Sequence, residues 1–163
     1  MTCIVAGDGW MAADRRVTED DGSSSSLIKI AKNPWLIAAA AGNASSTLDV
    51  RRAVRAGAQI VEDLIEHVDK DSVALVMNTD GQLFKIQEKR VWSARQLAAI
   101  GSGGDLAIGW LSAIQVDGPW AGQWDTRKRD IRLAFRFVAS RRADCGGGVD
   151  IRRTYAKERP GTD

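Results

Sequence analysis

Histidine is almost missing from this chain, with His67 its single representative. A Ser-His-Asp or Cys-His hydrolase would have to centre on that residue. His67 instead falls near the end of a predicted helix, where a cation suits the helix dipole. Cysteine is scarce as well. Cys3 and Cys145 supply neither a disulfide framework nor a zinc-ligand spacing, and they read as two reduced thiols in a cytoplasmic protein. No apolar run approaches the ~20 residues that span a bilayer. The start lacks a charged region followed by an apolar stretch and a small-residue cleavage site, which argues against secretion. Neither sign of charge is in excess. The net value of +2 favours neither nucleic acid nor an acidic membrane surface. No cofactor or metal is expected.

What is present is a globular balance, with 44% hydrophobic and 27% charged residues over 163 positions. That length suits one domain. We place it at residues 1–156, with 157–163 a flexible C-terminal tail.

Cys3 to Ala6 and Trp10 to Ala13 are short apolar runs around Gly7-Asp8-Gly9, the pattern of a tight β-hairpin. Asp20 to Ser26 is polar and turn-rich. Leu27, Ile28 and Ile30 surround Lys29 in a third predicted strand, Asn33-Pro34 marks a turn, and Trp35 to Ala41 reads as a strand buried on both faces. Gly42-Asn43 ends it, and Ser46 with Asp49 resembles a capping box. Val50, Val54, Ala58, Val61, Ile65 and Val68 then recur at the spacing of one amphipathic helix of about six turns. Val73 to Met77 and Leu83 to Ile86 flank an Asp80-Gly81 turn, and Val91-Trp92 extends the sheet. Leu97 to Ile100 is a strand running into Gly101-Ser102-Gly103-Gly104, followed by a helix from about Asp105 to Ile114 that Asp117-Gly118-Pro119 breaks. Asp125 or Thr126 caps a third helix whose inner face is Ile131, Ala134, Phe135 and Val138. Asp144 opens a glycine-rich turn, and Val149 to Ile151 is the last strand. Strands dominate the first third and helices come in separate blocks, so a regular parallel α/β sheet is disfavoured. Two antiparallel sheets between helical layers, an α+β arrangement, fit the order better.

The chemistry concentrates at the start. Thr2 follows Met1 directly, and removal of Met1 would expose a threonine with both a hydroxyl and a free α-amine. Such an amine has a pKa near ~8 and can serve as a base at neutral pH. A threonine hydroxyl becomes a useful nucleophile when a base sits beside it.

Thr2-Cys3-Ile4-Val5-Ala6 and Ala12-Ala13-Asp14, Lys29-Ile30, Ala41-Gly42, Ile100-Gly101-Ser102-Gly103 and Asp144 occur in this order. Together they resemble the proteasome β subunits and the bacterial HslV peptidase, N-terminal-nucleophile hydrolases. The resemblance runs from Thr2 to about Ile151. It implies a four-layer αββα sandwich and a threonine endopeptidase. In that reading Thr2 Oγ attacks the scissile carbonyl and the Thr2 amine takes its proton, through a water. Lys29 lowers the pKa of Oγ, Asp14 holds Lys29, the Gly42 N–H faces the oxyanion, and Ser102 and Asp144 surround the amine. Val17, Leu27, Ala31 and Ala40 would line the specificity pocket, which favours cleavage after apolar residues. The family also implies peptide or unfolded-protein substrates, a homo-oligomeric ring, and an ATPase unfoldase as partner.

The sequence departs from the pattern in four places. The first hairpin is short, and one helix is missing from the first helical layer. Gly147 stands where proteasome subunits usually have a serine, and Cys3 where a second threonine is common. Three other readings stay open. One is a ring or scaffold protein with this fold and no activity. Another is a hydrolase of small amides. The third uses the arginines of the first helix and of 127–142 on nucleic acid, although a solvated helix face explains them more simply. Trp120 and Trp124, in a predicted loop, would suit a contact surface.

Overall fold

Residue alternation along the first strands sets the layers. In the computed structural model, which describes residues 2–18, 22–94, 96–115 and 124–154, β1 (Ile4–Gly7) and β2 (Trp10–Asp14) form the expected hairpin around Asp8 and Gly9, both at positive φ. Ile4, Ala6, Met11 and Ala13 face one way, and Cys3, Val5, Trp10 and Ala12 face the other. Both faces are apolar because both are covered. The hairpin lies at the centre of a four-stranded antiparallel sheet, flanked by β10 (Leu97–Ile100) and β11 (Val149–Arg153). A second antiparallel sheet of five strands runs in the order β5 (Ala31–Lys32), β6 (Leu36–Ala41), β7 (Val73–Asn78), β8 (Leu83–Gln87) and β9 (Arg90–Ser93). The sheets meet through Ile4, Met11, Ile37, Leu75 and Met77. Helix α1 (Ala44–Ala56) covers the outer face of the second sheet, with Val50 and Val54 buried against Ala38 and Ala40. Helices α2 (Gly104–Gln115) and α3 (Trp124–Arg141) cover the first sheet through Leu111, Ile131 and Val138. Each fully buried aliphatic side chain contributes roughly 1.5–3 kcal/mol. The result is the expected four-layer αββα sandwich. No helix among the described residues is long and apolar enough to cross a membrane.

Four expectations need correction. The six-turn helix is broken. α1 ends at Gly57, which adopts a left-handed conformation, and a seven-residue 3₁₀ helix from Val61 to His67 follows. The apolar spacing continues across the break because both pieces lie on the same sheet, so periodicity alone could not reveal it. The N-cap is Asn43, whose side chain accepts from the N–H groups of Ser45 and Ser46, and Ser46 instead accepts from the Asp69 N–H. Leu27 to Ile30 join no ladder. The pairing lies on either side, in a ribbon of β3 (Arg16–Thr18) with β4 (Ser24–Ser26) and in β5. α3 is already helical at Trp124, so Asp125 sits in its first turn and Trp124 is not a loop residue. The Arg153 guanidinium stacks on the Trp124 ring at 4.3 Å. Met1, Trp120, the predicted break at 117–119 and the predicted tail at 157–163 lie outside the described residues.

The end of α1 is satisfied by a residue from another element. Asn33 Nδ2 donates to the carbonyls of Val54 (2.8 Å) and Ala58 (2.7 Å), while its Oδ1 accepts from the N–H groups of Trp35 and Leu36. One side chain thus shapes the β5–β6 turn and fastens it to the helix. Asn33→Ala should lower stability by about 1–3 kcal/mol, because unpaired backbone groups remain. Urea unfolding with an unchanged midpoint would contradict this.

Candidate active site

Asp14 is the last residue of β2, and its side chain turns inward with 1% of its surface exposed. A buried carboxylate needs partners for its lone pairs. Oδ1 accepts from Lys29 Nζ at 2.8 Å and from the Cys3 N–H at 2.9 Å. Oδ2 accepts from the Gly146 N–H at 3.0 Å. Lys29, also 1% exposed, gives a second hydrogen bond to the Arg16 carbonyl at 2.6 Å. The Cys3 N–H belongs to the peptide that joins Cys3 to Thr2. One carboxylate oxygen therefore holds the lysine ammonium and the backbone of the leading residue at once.

Thr2 precedes β1 and is 7% exposed. Its carbonyl packs on the turn after β10. A Cβ on Gly101 would fall 2.0 Å from the Thr2 oxygen, and the Gly103 N–H lies 3.5 Å from that oxygen. Only glycine fits at 101, where φ is also +84°. Next in the turn, Ser102 Oγ donates to Asp144 Oδ2 at 2.7 Å. Partial burial of Asp144 disfavours its charge. The Ser102 hydroxyl, the residue's own N–H and the Arg142 guanidinium outweigh that and hold the carboxyl below the usual range.

Gly42 ends β6 at φ +123°, and a Cβ there would meet Ser72 Oγ at 2.5 Å and Ser72 Cα at 2.7 Å. The Asn43 N–H donates to the buried Ser72 hydroxyl, and Asn43 Nδ2 donates to Asp69. The turn carrying Gly42 is thus clamped by residues 69–72.

Asp14 and Lys29 are paired, Thr2 is tied to them through the Cys3 N–H, and Ser102 and Asp144 are paired beside Thr2. The pocket residues are not equivalent. Val17 and Leu27 are partly accessible, but Ala31 (4% exposed) and Ala40 (0%) are packed in the cluster beneath α1. Alternation along β6 turns Ala40 with Ala38 toward the helix, so neither alanine lines an open pocket. Three contributors were missed from sequence: the Gly146 N–H, the Arg16 carbonyl and Ser72. The first two act through the backbone, which leaves no side-chain signal, and Ser72 is an isolated serine in a turn.

The four-layer αββα sandwich is shared with proteasome-like proteins of the HslV and Anbu type. No protein-family model matches the sequence, and no curated protein matches it. Solved structures do. A eukaryotic HslV from Trypanosoma brucei superimposes with a TM-score of 0.66 at 17% identity, over 93% of this chain and 97% of that one. The BPH of Thiobacillus denitrificans in complex with epoxomicin gives 0.65 at 18%, over 94% and 98%. A Gly-1 mutant of Anbu from Hyphomicrobium sp. strain MC1 gives 0.72 at 13%, over 98% and 90%. These likenesses establish that the chain has this fold.

Two consequences can be measured. Lys29→Ala leaves a buried carboxylate without its cation and should cost about 3–5 kcal/mol, whereas Lys29→Met with Asp14→Asn should recover much of that loss. Denaturant unfolding of the three proteins tests this, and a single variant as stable as the wild type contradicts it. The thiols give the second. Burial, followed by Cys145 and Asp14, pushes the Cys3 thiol up, and burial does the same for Cys145. Above the ordinary thiol value of 9.0 the unfolded chain releases these protons and the folded chain does not. Stability should therefore fall as pH rises past that point. In the folded protein both thiols should resist iodoacetamide at pH 8, which peptide mapping reads.

Proposed function

We propose that this protein is a threonine peptidase whose nucleophile is Thr2 once Met1 has been removed. The observation that carries this reading is the buried Asp14–Lys29 pair hydrogen-bonded to the Thr2–Cys3 peptide. A lysine side chain beside the leading hydroxyl would favour its ionised form. Asp14 orients that lysine, and the freed α-amine of Thr2 accepts the hydroxyl proton, through a water. Thr2 Oγ then attacks the peptide carbonyl. The Gly42 N–H donates to the oxyanion, and one such donor is worth about 3 kcal/mol in the transition state. The proton on the amine passes to the leaving nitrogen, and water later hydrolyses the acyl-enzyme. Ser102 and Asp144 hold the amine in place. Val17 and Leu27 set a preference for apolar residues on the acyl side of the cleaved bond.

The fold it shares with HslV supports a self-compartmentalising homo-oligomeric ring in the cytoplasm, fed with unfolded chains by an ATPase. An inactive scaffold is the second reading, and Gly147 favours it. A Cβ at that position would lie 3.1 Å from the Arg16 nitrogen, and φ is +70°. A serine there would be strained and would press on the Arg16 backbone.

The decisive comparison is wild type against Thr2→Ala on fluorogenic peptides, with intact mass recorded for each. The wild type should start at Thr2, cleave after apolar residues and gain the mass of epoxomicin. Thr2→Ala should lose at least ~10³-fold in rate and take no label. Equal rates in the two proteins, or a wild type that retains Met1 in its native host, would remove the peptidase reading.

A further inference from the structure

Behind Asp14, between α3 and the start of β11, lies a cleft of about 360 Å³. Asp14 and Gly146 of the candidate site line it, and Gly42 does not. It is lined by the apolar Phe135 and Val149 and by Arg132 and Arg136, both exposed. These two arginines are four residues apart, so their side chains leave the same face of α3. Neither makes an ion pair or a hydrogen bond among the described residues. The Arg16 guanidinium, 3.6 Å from the place a Gly146 Cβ would occupy, does not line the cleft and donates to the Ala143 carbonyl. The one acidic residue lining the cleft is Asp14. Its charge is already matched by Lys29 and by the N–H groups of Cys3 and Gly146.

Like charges gathered around a concave apolar floor focus a field that favours an anion. Forked guanidinium donors match the geometry of phosphate and carboxylate oxygens. The remaining wall, Gly147 and Gly148, presents bare backbone, so a ligand can approach it closely. The volume falls at the small end of ligand pockets.

We infer that this cleft binds a small ligand that joins an oxyanion, phosphate or carboxylate, to an apolar arm. The oxyanion lies between Arg132 and Arg136, and the arm rests on Phe135 and Val149. Occupancy reaches the catalytic pair through one residue. The Gly146 N–H holds Asp14 Oδ2, and the Gly146 carbonyl accepts from the N–H groups of Arg15 and Arg16. A ligand that fixes the glycine turn therefore fixes the carboxylate, and with it the Cys3 N–H on Oδ1.

The test needs no peptidase activity, so it stands or falls separately from the proposed reaction. Phenyl phosphate, benzoate, inorganic phosphate and phenol are titrated into the full chain by calorimetry at constant ionic strength. Phenyl phosphate and benzoate should each bind at one saturable site, their ranking telling a phosphate ligand from a carboxylate one. Inorganic phosphate should bind at least about tenfold more weakly than phenyl phosphate, and phenol should not bind. Arg132→Gln with Arg136→Gln should weaken phenyl phosphate by roughly tenfold or more and leave the unfolding temperature unchanged. The Cys3 amide resonance should shift on binding in the wild type. Absence of saturable binding by either aromatic anion, or equal affinity in the double variant, would overturn the site. Inorganic phosphate binding as tightly as phenyl phosphate would overturn the apolar arm, and an unmoved Cys3 resonance would overturn the coupling.

Discussion

A lysine ammonium and an aspartate carboxylate withdrawn from water must find all their partners inside the protein. Asp14 and Lys29 do so by gathering pieces from remote parts of the chain: the Cys3 N–H ahead of β1, the Arg16 carbonyl after β2, and the Gly146 N–H after α3. Each is a backbone group, so the pair positions main chain rather than side chains. The segment bearing Thr2 ahead of β1, the hairpin that bears Asp14 and the glycine turn beside Asp144 are locked together by one ion pair. Without that pair the two sheets could still close on their shared apolar face, but the leading residue would keep only the Gly103 N–H on its carbonyl.

Burial elsewhere serves the same end. The inner faces of β1 and β2 carry Ala6, Ala13 and Met11 beside Ile4, in one cluster with Ala39 and Ala41 of β6. Small side chains let the two sheets approach near the site, while bulky ones such as Ile37, Leu75 and Met77 fill the interior. The Gly42 turn emerges from β6 at the edge of this zone and is clamped by Ser72 and Asp69. Rigid elements thus hold the Thr2 side and the Gly42 side separately, one from each sheet.

Much of this was legible in the sequence because period and order are local properties. The hairpins at Asp8-Gly9 and Asp80-Gly81, the buried run ending at Ala41 and the inner face of α3 follow directly from patterning. Asp14, Lys29, Ser102 and Asp144 were singled out by resemblance, and the fold pairs Asp14 with Lys29 and Ser102 with Asp144. The failures share one cause, which is that tertiary contacts override local signals. Ile28 and Ile30 have strand propensity, but the segment is drawn out of a ladder to place Lys29 against Asp14. Val61 and Leu64 continue a helical stripe, but Gly57 ends α1 and the chain resumes as a 3₁₀ turn on the same sheet. Asn43 displaced Ser46 as cap because Ser46 was needed by Asp69.

The span of the contacts to Asp14 has a consequence for the nascent chain. Cys3 and Lys29 are 11 and 15 residues away, but Gly146 is separated by 132. While the polypeptide is emerging from the ribosome, the carboxylate can recruit its first two partners early and must keep a hydrated oxygen until nearly all of the domain has been synthesised. Completion of the Asp14 contacts is thus a late event of biogenesis, and a chain truncated before the glycine turn would leave one carboxylate oxygen without its partner even if its hairpins had formed.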